Sequence, residues 1–245
     1  MNILFKLGPF TIYKLGFFVA LGILAGMYLV LKEAKRKSLN EDDVLNFSML
    51  IIISGFIGAR LLFVLLDLPF YLKNPAMILH VNEGGLSFHG AILGGLIAAV
   101  IYTRMKKINF FKLADIVAPS LALGYGIGRI GCDIYGKVTN VPWAVVVNGV
   151  SRHPAQLYSA LAGFIIFMIL WNRREKIRYD GELFVSFVVL YSIYRFIIEF
   201  FRDSVMAGPL SVAQWTSLAL VVLGVIYNQA RISKVLYKNL PPNHL

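Results

Sequence analysis

Long apolar runs separated by short polar connections make up most of this sequence. Seven of the runs approach the roughly 20 residues that a helix needs to cross the hydrocarbon core of a bilayer. The predicted helices cover residues 12–31, 44–66, 88–104, 114–131, 155–172, 182–201 and 211–230. We therefore expect an all-α integral membrane protein, with a bundle of seven transmembrane helices in a single polytopic domain over residues 1–245.

The composition agrees with a membrane protein. Of the 245 residues, 58% are hydrophobic and only 15% are charged, which is far from the balance of a soluble domain. The net charge of +11 could suggest nucleic-acid binding, but the basic residues lie mostly in short clusters between the apolar runs. Since no soluble module carries a basic surface, we expect no nucleic-acid partner. The single cysteine, Cys132, excludes an intrachain disulfide.

Lysine and arginine are distributed unevenly among the connections. The first, third and fifth connections and the C-terminal tail are basic, with Lys32, Lys35, Arg36 and Lys37, then Arg104, Lys106, Lys107 and Lys112, then Arg173, Arg174, Lys176 and Arg178, and finally Arg231, Lys234 and Lys238. The intervening connections carry only Lys73, the pair Lys137 and Arg152, and Arg202. Because basic connections stay in the cytoplasm, we expect the N-terminus outside, on the periplasmic side, and the C-terminus in the cytoplasm.

A charged stripe interrupts the sixth apolar run, in the stretch YRFIIEFFR. Arg195, Glu199 and Arg202 are spaced by four and three residues, which places them on one face of a helix. An isolated charge inside a bilayer costs several kcal/mol, so these side chains must contact a partner or water. One interpretation is a structural ion pair, in which Glu199 neutralises arginine while Arg202 reaches the headgroups.

A third arginine favours an anion site over an ion pair alone. Arg129, in GYGIGRIGC, lies near the predicted outer end of the fourth helix, and Tyr191 extends the charged stripe by one turn. Three arginines and one carboxylate leave surplus positive charge. The planar guanidinium forms paired hydrogen bonds with phosphate and stays charged when it is desolvated. The pattern therefore predicts a site for a phospholipid headgroup, which binding and catalysis could both use.

Other polar residues also fall at the predicted outer side. His89, in GGLSFHG, opens the third helix, and the segment SRHPAQLY leads into the fifth with Arg152, His153 and Gln156. A structured periplasmic loop is an alternative explanation for Arg152 and His153. Glycines four residues apart, such as the pairs Gly22 and Gly26, Gly90 and Gly94, and Gly124 and Gly128, are typical of closely packed membrane helices.

Four motifs occur in a fixed order on these segments. They are EGGLSFHG, ADIVAPSLALGYGIGRIGC, RHPAQLY and YRFIIEFFR, preceded by LGPFTIYKLGFFVALG and IGARLLFVL. Together they resemble the prolipoprotein diacylglyceryl transferase family over nearly the whole chain. The resemblance implies a multi-pass enzyme of the bacterial inner membrane with seven transmembrane helices and its N-terminus outside, in agreement with the charge distribution.

The resemblance also implies a reaction. Members of the family move the diacylglyceryl group of phosphatidylglycerol to the thiol of a lipobox cysteine in a prolipoprotein, which forms a thioether and releases glycerol phosphate. The expected partners are phosphatidylglycerol, prolipoprotein signal peptides with a lipobox cysteine, and membrane lipids. Neither a cofactor nor a metal ion is expected.

Roles for individual residues follow from the same resemblance. Arg129 and Arg195 would bind the phosphate, with Glu199 and Tyr191 orienting them, and Arg202 would hold headgroup or peptide. His89 would take or relay the thiol proton, because the unperturbed pKa of histidine lies near neutrality. An interfacial histidine that is hydrogen-bonded to a loop is an equal alternative. The remaining candidates for substrate binding are Arg152, His153 and Gln156.

The sequence departs from the family pattern at two places, and other functions stay open. The turn after Gly131 is short, with Asp133 as a possible replacement for the family's polar residue, and Leu15 stands where a tyrosine is usual. A lipid or anion transporter would favour an internal repeat, which the two halves do not show, and a relative that only binds anionic lipid is a further alternative. A lone cysteine at a helix end, such as Cys132, is more often a packing residue than a covalent nucleophile.

Overall fold

The computed structural model describes residues 3–8, 10–80 and 84–238. Its α-helices are α1 (Lys14–Arg36), α2 (Glu41–Leu66), α3 (Leu68–Lys73), α4 (Phe88–Lys106), α5 (Phe110–Ile130), α6 (Ala155–Arg173), α7 (Glu182–Ile198) and α8 (Val212–Lys238), with 3₁₀ turns at Pro75–Leu79 and Glu199–Phe201. Three hairpins pair β1 (Ile3–Leu7) with β2 (Phe10–Tyr13), β3 (Val145–Val147) with β4 (Val150–Arg152), and β5 (Met206–Ala207) with β6 (Leu210–Ser211). Among the described residues, seven helices are long and apolar enough to cross a membrane, which confirms the predicted fold class.

The helices differ from the predicted segments mainly at their ends. The first begins at Lys14, because the residues before it form the β1–β2 hairpin, and the last continues to Lys238. The short helix α3 and the hairpins were not predicted, since elements of two to six residues leave no clear periodicity. The described chain divides into two compact units, so the single domain over residues 1–245 stays a prediction.

Large apolar side chains cover the outside of the helices. Leu24, Leu66 and Leu223 expose 67%, 75% and 63% of their surface. In water such a surface would be strongly unfavourable, but lipid chains are as apolar as leucine and carry no such penalty. Helices suit this solvent because they satisfy their own backbone hydrogen bonds. The chain is therefore a multi-pass membrane protein.

The unit of residues 30–113 is built on the close contact of α2 and α4. A Cβ atom at Gly58 would lie 2.5 Å from the carbonyl oxygen of Gly90 and 3.0 Å from the Cα atom of Gly94. Only glycine permits this approach, which confirms the packing interpretation for Gly90 and Gly94. Ser87 caps α4 by accepting a hydrogen bond of 3.4 Å from the amide of Gly90.

A buried arginine orders the segment that precedes α4. Arg60 on α2 is only 9% exposed, and its guanidinium lies over the rings of Phe63 and Tyr71. It donates hydrogen bonds of 2.5–3.4 Å to the carbonyl oxygens of Met77, Ile78, His80, Gly84 and Gly85. Five carbonyls satisfy its donors without a carboxylate. Arg60 was missed in the sequence because no acidic residue marks its environment.

The second unit, of residues up to 29 and from 114 onward, places α5 between α1 and α6. A Cβ atom at Gly22 would lie 2.9 Å from the carbonyl oxygen of Gly124, and one at Gly163 would lie 2.7 Å from the Cα atom of Gly126. Apolar residues of α5, α6 and α7 form a buried core, which comprises Ala122, Ile166, Leu170 and Leu183. These contacts fix the path of α5 toward its last turn.

Helix α7 begins at a carboxylate supplied by α5. Asp115, which is 1% exposed, accepts hydrogen bonds of 2.8 Å from the amide of Gly181 and 2.9 Å from the amide of Phe184. A carboxylate at a helix N-terminus satisfies free amides and interacts well with the helix dipole. Since Tyr125 and Tyr194 also meet farther along the two helices, α5 and α7 run parallel.

The segment that connects α5 to α6 contains the β3–β4 hairpin and contacts the chain just after α7. Asn148 and Gly149 have φ values of 50° and 79°, as a tight two-residue hairpin turn requires. Gly136 donates to the carbonyl of His153 at 2.8 Å, and Lys137 donates to the carbonyl of Phe201 at 2.9 Å. A side chain at Gly136 would overlap the Phe201 carbonyl, so glycine is required where this segment crosses the chain after α7.

Candidate active site

The arginine and glutamate of the charged stripe form a close ion pair. The Arg195 guanidinium donates to Glu199 at 2.5 Å, and the Ser204 hydroxyl donates to the other oxygen of the same carboxylate. Glu199 is only 6% exposed. Two donors to one buried carboxylate hold Glu199 in place, and Glu199 in turn fixes the direction of Arg195. The structural ion pair considered from the sequence is therefore present.

Arg202 lies just beyond the helix that carries Arg195, so the prediction that all three charged residues belong to one helix was wrong. Helix α7 ends at Ile198, the next residues form the 3₁₀ turn, and Arg202 itself is extended with φ −116° and ψ 149°. Its guanidinium makes no ion pair with a carboxylate of the described residues.

Arg129 lies in the last turn of α5, at 5.0 Å from the centre of the Tyr125 ring. Within the described parts of the chain, no carboxylate pairs with it. On α7, Tyr191 precedes Arg195 by one turn, and its ring lies 5.3 Å from the Tyr125 ring that Arg129 contacts, so the two arginines border the same tyrosine cluster from different helices. Cys132, which is half-buried, follows three residues later, and its amide donates to the Arg129 carbonyl at 3.2 Å. The structure thus brings together two of the predicted phosphate ligands.

Three tyrosines pack against one another below Arg129. The ring of Tyr125 lies 5.3 Å from that of Tyr191 and 6.1 Å from that of Tyr194. The Tyr125 and Tyr194 hydroxyls are 2.9 Å apart, and Tyr194 donates to the Ser159 hydroxyl at 2.5 Å. Tyr125, Tyr194 and Ser159 were missed in the sequence, because a tyrosine or serine in an apolar helix is more often a packing residue.

Arg152 and His153 hold the connecting segment in place. Arg152 donates to the Gly136 carbonyl at 3.1 Å and lies 3.4 Å from Asp203. The His153 ring is 3.3 Å from the Tyr158 hydroxyl, to which the Trp143 indole also donates. These contacts agree with the structured loop that was the alternative explanation, and substrate binding by either residue stays a prediction.

Gln156 has an unusual environment for a polar residue. It is 8% exposed, and its Oε1 atom accepts no hydrogen bond from any described residue. It shares the buried face of α6 with Ser159, which follows by one turn. A buried acceptor without a partner costs about 1–3 kcal/mol, so a ligand that donates a hydrogen bond would relieve the cost.

His89 belongs to the unit of residues 30–113 and is described within it. It is the second residue of α4, directly after the Ser87 cap and Phe88, and its side chain is exposed. Its ring lies 6.0 Å from that of Phe88 and makes no hydrogen bond to a described residue. A role in proton transfer stays a prediction for His89.

Comparison with known proteins identifies the family. The family model for prolipoprotein diacylglyceryl transferase matches residues 2–229. The chain belongs to the prolipoprotein diacylglyceryl transferase family. The resemblance stated from the motifs is confirmed, and the transporter alternative is not favoured.

Three relatives of this transferase family show how far the similarity extends. All are named phosphatidylglycerol–prolipoprotein diacylglyceryl transferase. The protein of Clostridioides difficile is 41% identical over 230 residues, which are 92% of this chain and 93% of that protein. That of Geobacter sulfurreducens is 38% identical over 91% and 92% of the two chains. That of Finegoldia magna is 32% identical over 97% and 98%.

One departure from the prolipoprotein diacylglyceryl transferase pattern lies beside Arg129. A Cβ atom at Gly131 would be 3.1 Å from the Cα atom of Leu15 and 2.9 Å from the Lys14 carbonyl oxygen. Leu15, which replaces the tyrosine expected from the resemblance, therefore packs against the turn that follows Arg129. The phenol rings near Arg129 are that of Tyr125 on α5 and, packed against it, those of Tyr191 and Tyr194 on α7.

Proposed function

We propose that this protein transfers the diacylglyceryl group of phosphatidylglycerol to the thiol of a lipobox cysteine in prolipoproteins. The thiolate attacks the glyceryl carbon that carries the phosphate, the carbon–oxygen bond breaks, a thioether forms, and glycerol phosphate leaves. The observation that carries the proposal is the position of Arg129 and Arg195 beside the packed rings of Tyr125 and Tyr191, with Glu199 paired to Arg195. The names of the relatives support the same substrates.

The charges suit this reaction. The phosphodiester of the substrate carries one negative charge, which equals the surplus of Arg129 and Arg195 over Glu199. The leaving phosphate gains a second negative charge as the bond breaks, and Arg202 would supply the second surplus cation. Fixed cations that match charge developing in the transition state lower the barrier more than they strengthen ground-state binding. In this scheme His89 takes or relays the thiol proton.

The remaining residues act on substrate position. Glu199 and Tyr191 orient the arginines. Arg152, His153 and Gln156 bind headgroup or peptide at the start of α6. We place the arginine end of α5 and α7 at the outer side of the bacterial inner membrane, where exported polypeptides and phosphatidylglycerol meet. The basic connections, such as that around Lys176, are then cytoplasmic.

The proposed function is tested by the mass of a synthetic lipobox peptide. The peptide, with one cysteine, is incubated with the purified protein and phosphatidylglycerol in detergent, beside a peptide with serine in place of cysteine. The expected result is a gain equal to the diacylglyceryl group in the cysteine peptide alone. No gain under conditions in which the Clostridioides difficile relative works would refute the transferase function of this chain.

Labelling of cysteines tests the orientation. In a Cys132→Ser background, Val146→Cys places a thiol on the β3–β4 hairpin, where Val146 is 66% exposed, and Lys176→Cys places one in a basic connection. We expect a membrane-impermeant maleimide to label the hairpin thiol in cells whose cytoplasmic membrane is intact. The thiol at position 176 should react only after permeabilisation. The reverse pattern would invert the proposed topology.

Replacement of Gln156 should change headgroup selection. Phosphatidylethanol has the same phosphodiester charge as phosphatidylglycerol but lacks the two headgroup hydroxyls that could donate to Oε1 of Gln156. A lost hydrogen bond to a buried acceptor corresponds to about 5- to 100-fold in relative rate. We therefore expect wild type to prefer phosphatidylglycerol, and Gln156→Leu to lose most of that preference while it still uses both lipids.

The rates of peptide modification with each lipid provide this measurement. Leu157→Ala, which changes an exposed neighbour on the same helix, serves as the control and should keep the wild-type preference. An unchanged preference in Gln156→Leu would show that the headgroup hydroxyls are not recognised by Gln156.

A further inference from the structure

We propose that Tyr125, Tyr194 and Ser159 form a polarised chain of hydroxyls that positions Arg129 for the departing phosphate. The three residues come from α5, α7 and α6, and none was a candidate ligand. They are positioning residues that act through Arg129. The inference rests on the proposed transferase function and adds to it the groups that set the arginine's geometry.

The direction of the chain follows from counting protons. The Ser159 hydroxyl lies 2.6 Å from the Ala155 carbonyl oxygen, which can only accept, so Ser159 donates its single proton there. Ser159 must then accept from Tyr194, at 2.5 Å. Because Tyr194 donates its only hydroxyl proton to Ser159, Tyr125 must be the donor in the 2.9 Å contact between the two tyrosine hydroxyls.

This order leaves the Tyr125 oxygen without a proton for any further group. It can only accept, whereas a guanidinium can only donate. The Arg129 guanidinium lies 5.0 Å from the centre of the same ring. Tyr125 is therefore matched to the arginine and would repel a phosphate oxygen. The phosphate would therefore be bound by the arginines and not by Tyr125.

The chain cannot serve as a route for the thiol proton. It ends at a backbone carbonyl, and none of its three hydroxyls is a base near neutral pH. Positioning is the function that remains. Gly124 and Gly126 flank Tyr125 and contact the backbones of α1 and α6. The Tyr125 ring itself is held by the rings of Tyr191 and Tyr194 and by the hydroxyl contact. A long arginine side chain resting on this ring has fewer available directions.

Two single variants and their combination test the chain. Tyr194→Phe and Ser159→Ala each interrupt it, and we expect each to lower kcat for peptide modification about tenfold with little change in KM for phosphatidylglycerol. Because either change breaks the same chain, the double variant should be no slower than the slower single variant. Tyr179→Phe is the matched control, since it removes a 2.7 Å hydrogen bond to Asn228 in the same unit and should keep wild-type kcat.

A second readout does not depend on turnover. Phenylglyoxal modifies accessible arginines, and peptide mapping by mass spectrometry locates the product. Arg129 should be modified several-fold faster in Tyr194→Phe and Ser159→Ala, and at the wild-type rate in Tyr179→Phe. Wild type without peptide product would refute the transferase function, and the modification rates would still decide the positioning role. Singles with wild-type kcat and wild-type modification rates would refute the chain, as would a double variant whose loss equals the product of the single losses.

Discussion

Arg129→Ala is expected to lower diacylglyceryl transfer by about a thousandfold, because it removes a preorganised cation from the phosphate that leaves. Arg129→Lys should recover only a small part of the rate. Lysine keeps the charge, but its point charge cannot form the paired hydrogen bonds of a guanidinium or rest on the Tyr125 ring in the same way. The effect should appear in kcat, because the second negative charge develops only in the transition state.

The rate of peptide modification at saturating phosphatidylglycerol measures this loss. Arg173→Ala is the matched control. Arg173 is an arginine at the far end of α6, its side chain is 53% exposed, and its contact with Glu182 is 3.5 Å long. The control should keep at least half of the wild-type rate and insert normally. A rate for Arg129→Ala within tenfold of wild type would exclude Arg129 from the phosphate site.

Glu199→Gln is expected to destabilise the protein by about 3 kcal/mol and to abolish transfer. The substitution keeps the size of the side chain but removes the charge that pairs with Arg195 at 2.5 Å, and a buried charge without its partner is costly. Arg195 would also lose its fixed direction. The midpoint of thermal unfolding in detergent should fall by several degrees.

Two further variants show that the effect belongs to the buried pair. Glu175→Gln breaks the exposed 2.8 Å pair with Arg174, in which Glu175 is 58% exposed, and should change stability by less than about 0.5 kcal/mol. The double variant Arg195→Leu with Glu199→Leu removes both charges. It should regain much of the stability but no activity. A thermal midpoint for Glu199→Gln equal to that of wild type would contradict this account of the stripe.

Much of the fold was predictable because lipid imposes simple rules. A helix that crosses a bilayer needs a long apolar run, and seven such runs are plain in the sequence. The pairing of Arg195 with Glu199 follows from a spacing of four residues within one helix. The β1–β2 hairpin was missed because strands as short as Ile3–Leu7 leave little pattern.

The features that were not predicted, in the site and elsewhere in the molecule, depend on contacts that spacing along the chain does not reveal. Arg202 lies in extended backbone after a 3₁₀ turn, because the helix ends earlier than its apolar run suggested. The contact of Tyr125 with Tyr194 depends on how α5 and α7 are aligned, which spacing within either helix does not reveal. Arg60 is satisfied by backbone carbonyls, and a carbonyl is present at every residue. Such partners leave no mark in a sequence.

The hydrogen bonds of Asp115 at the start of α7 join the two stretches of helix that lead to Arg129 and Arg195. Arg129 lies fourteen residues after Asp115 on one helix, and Arg195 lies fourteen residues after Gly181 on the other. At 1.5 Å per residue, the backbone positions of both arginines lie roughly 21 Å along their helices from these hydrogen bonds. The two arginines therefore lie at the same level along the two parallel helices. An added residue within either helical stretch would turn one arginine by about 100° away from the other. A longer connection before Gly181 would leave both fourteen-residue separations unchanged.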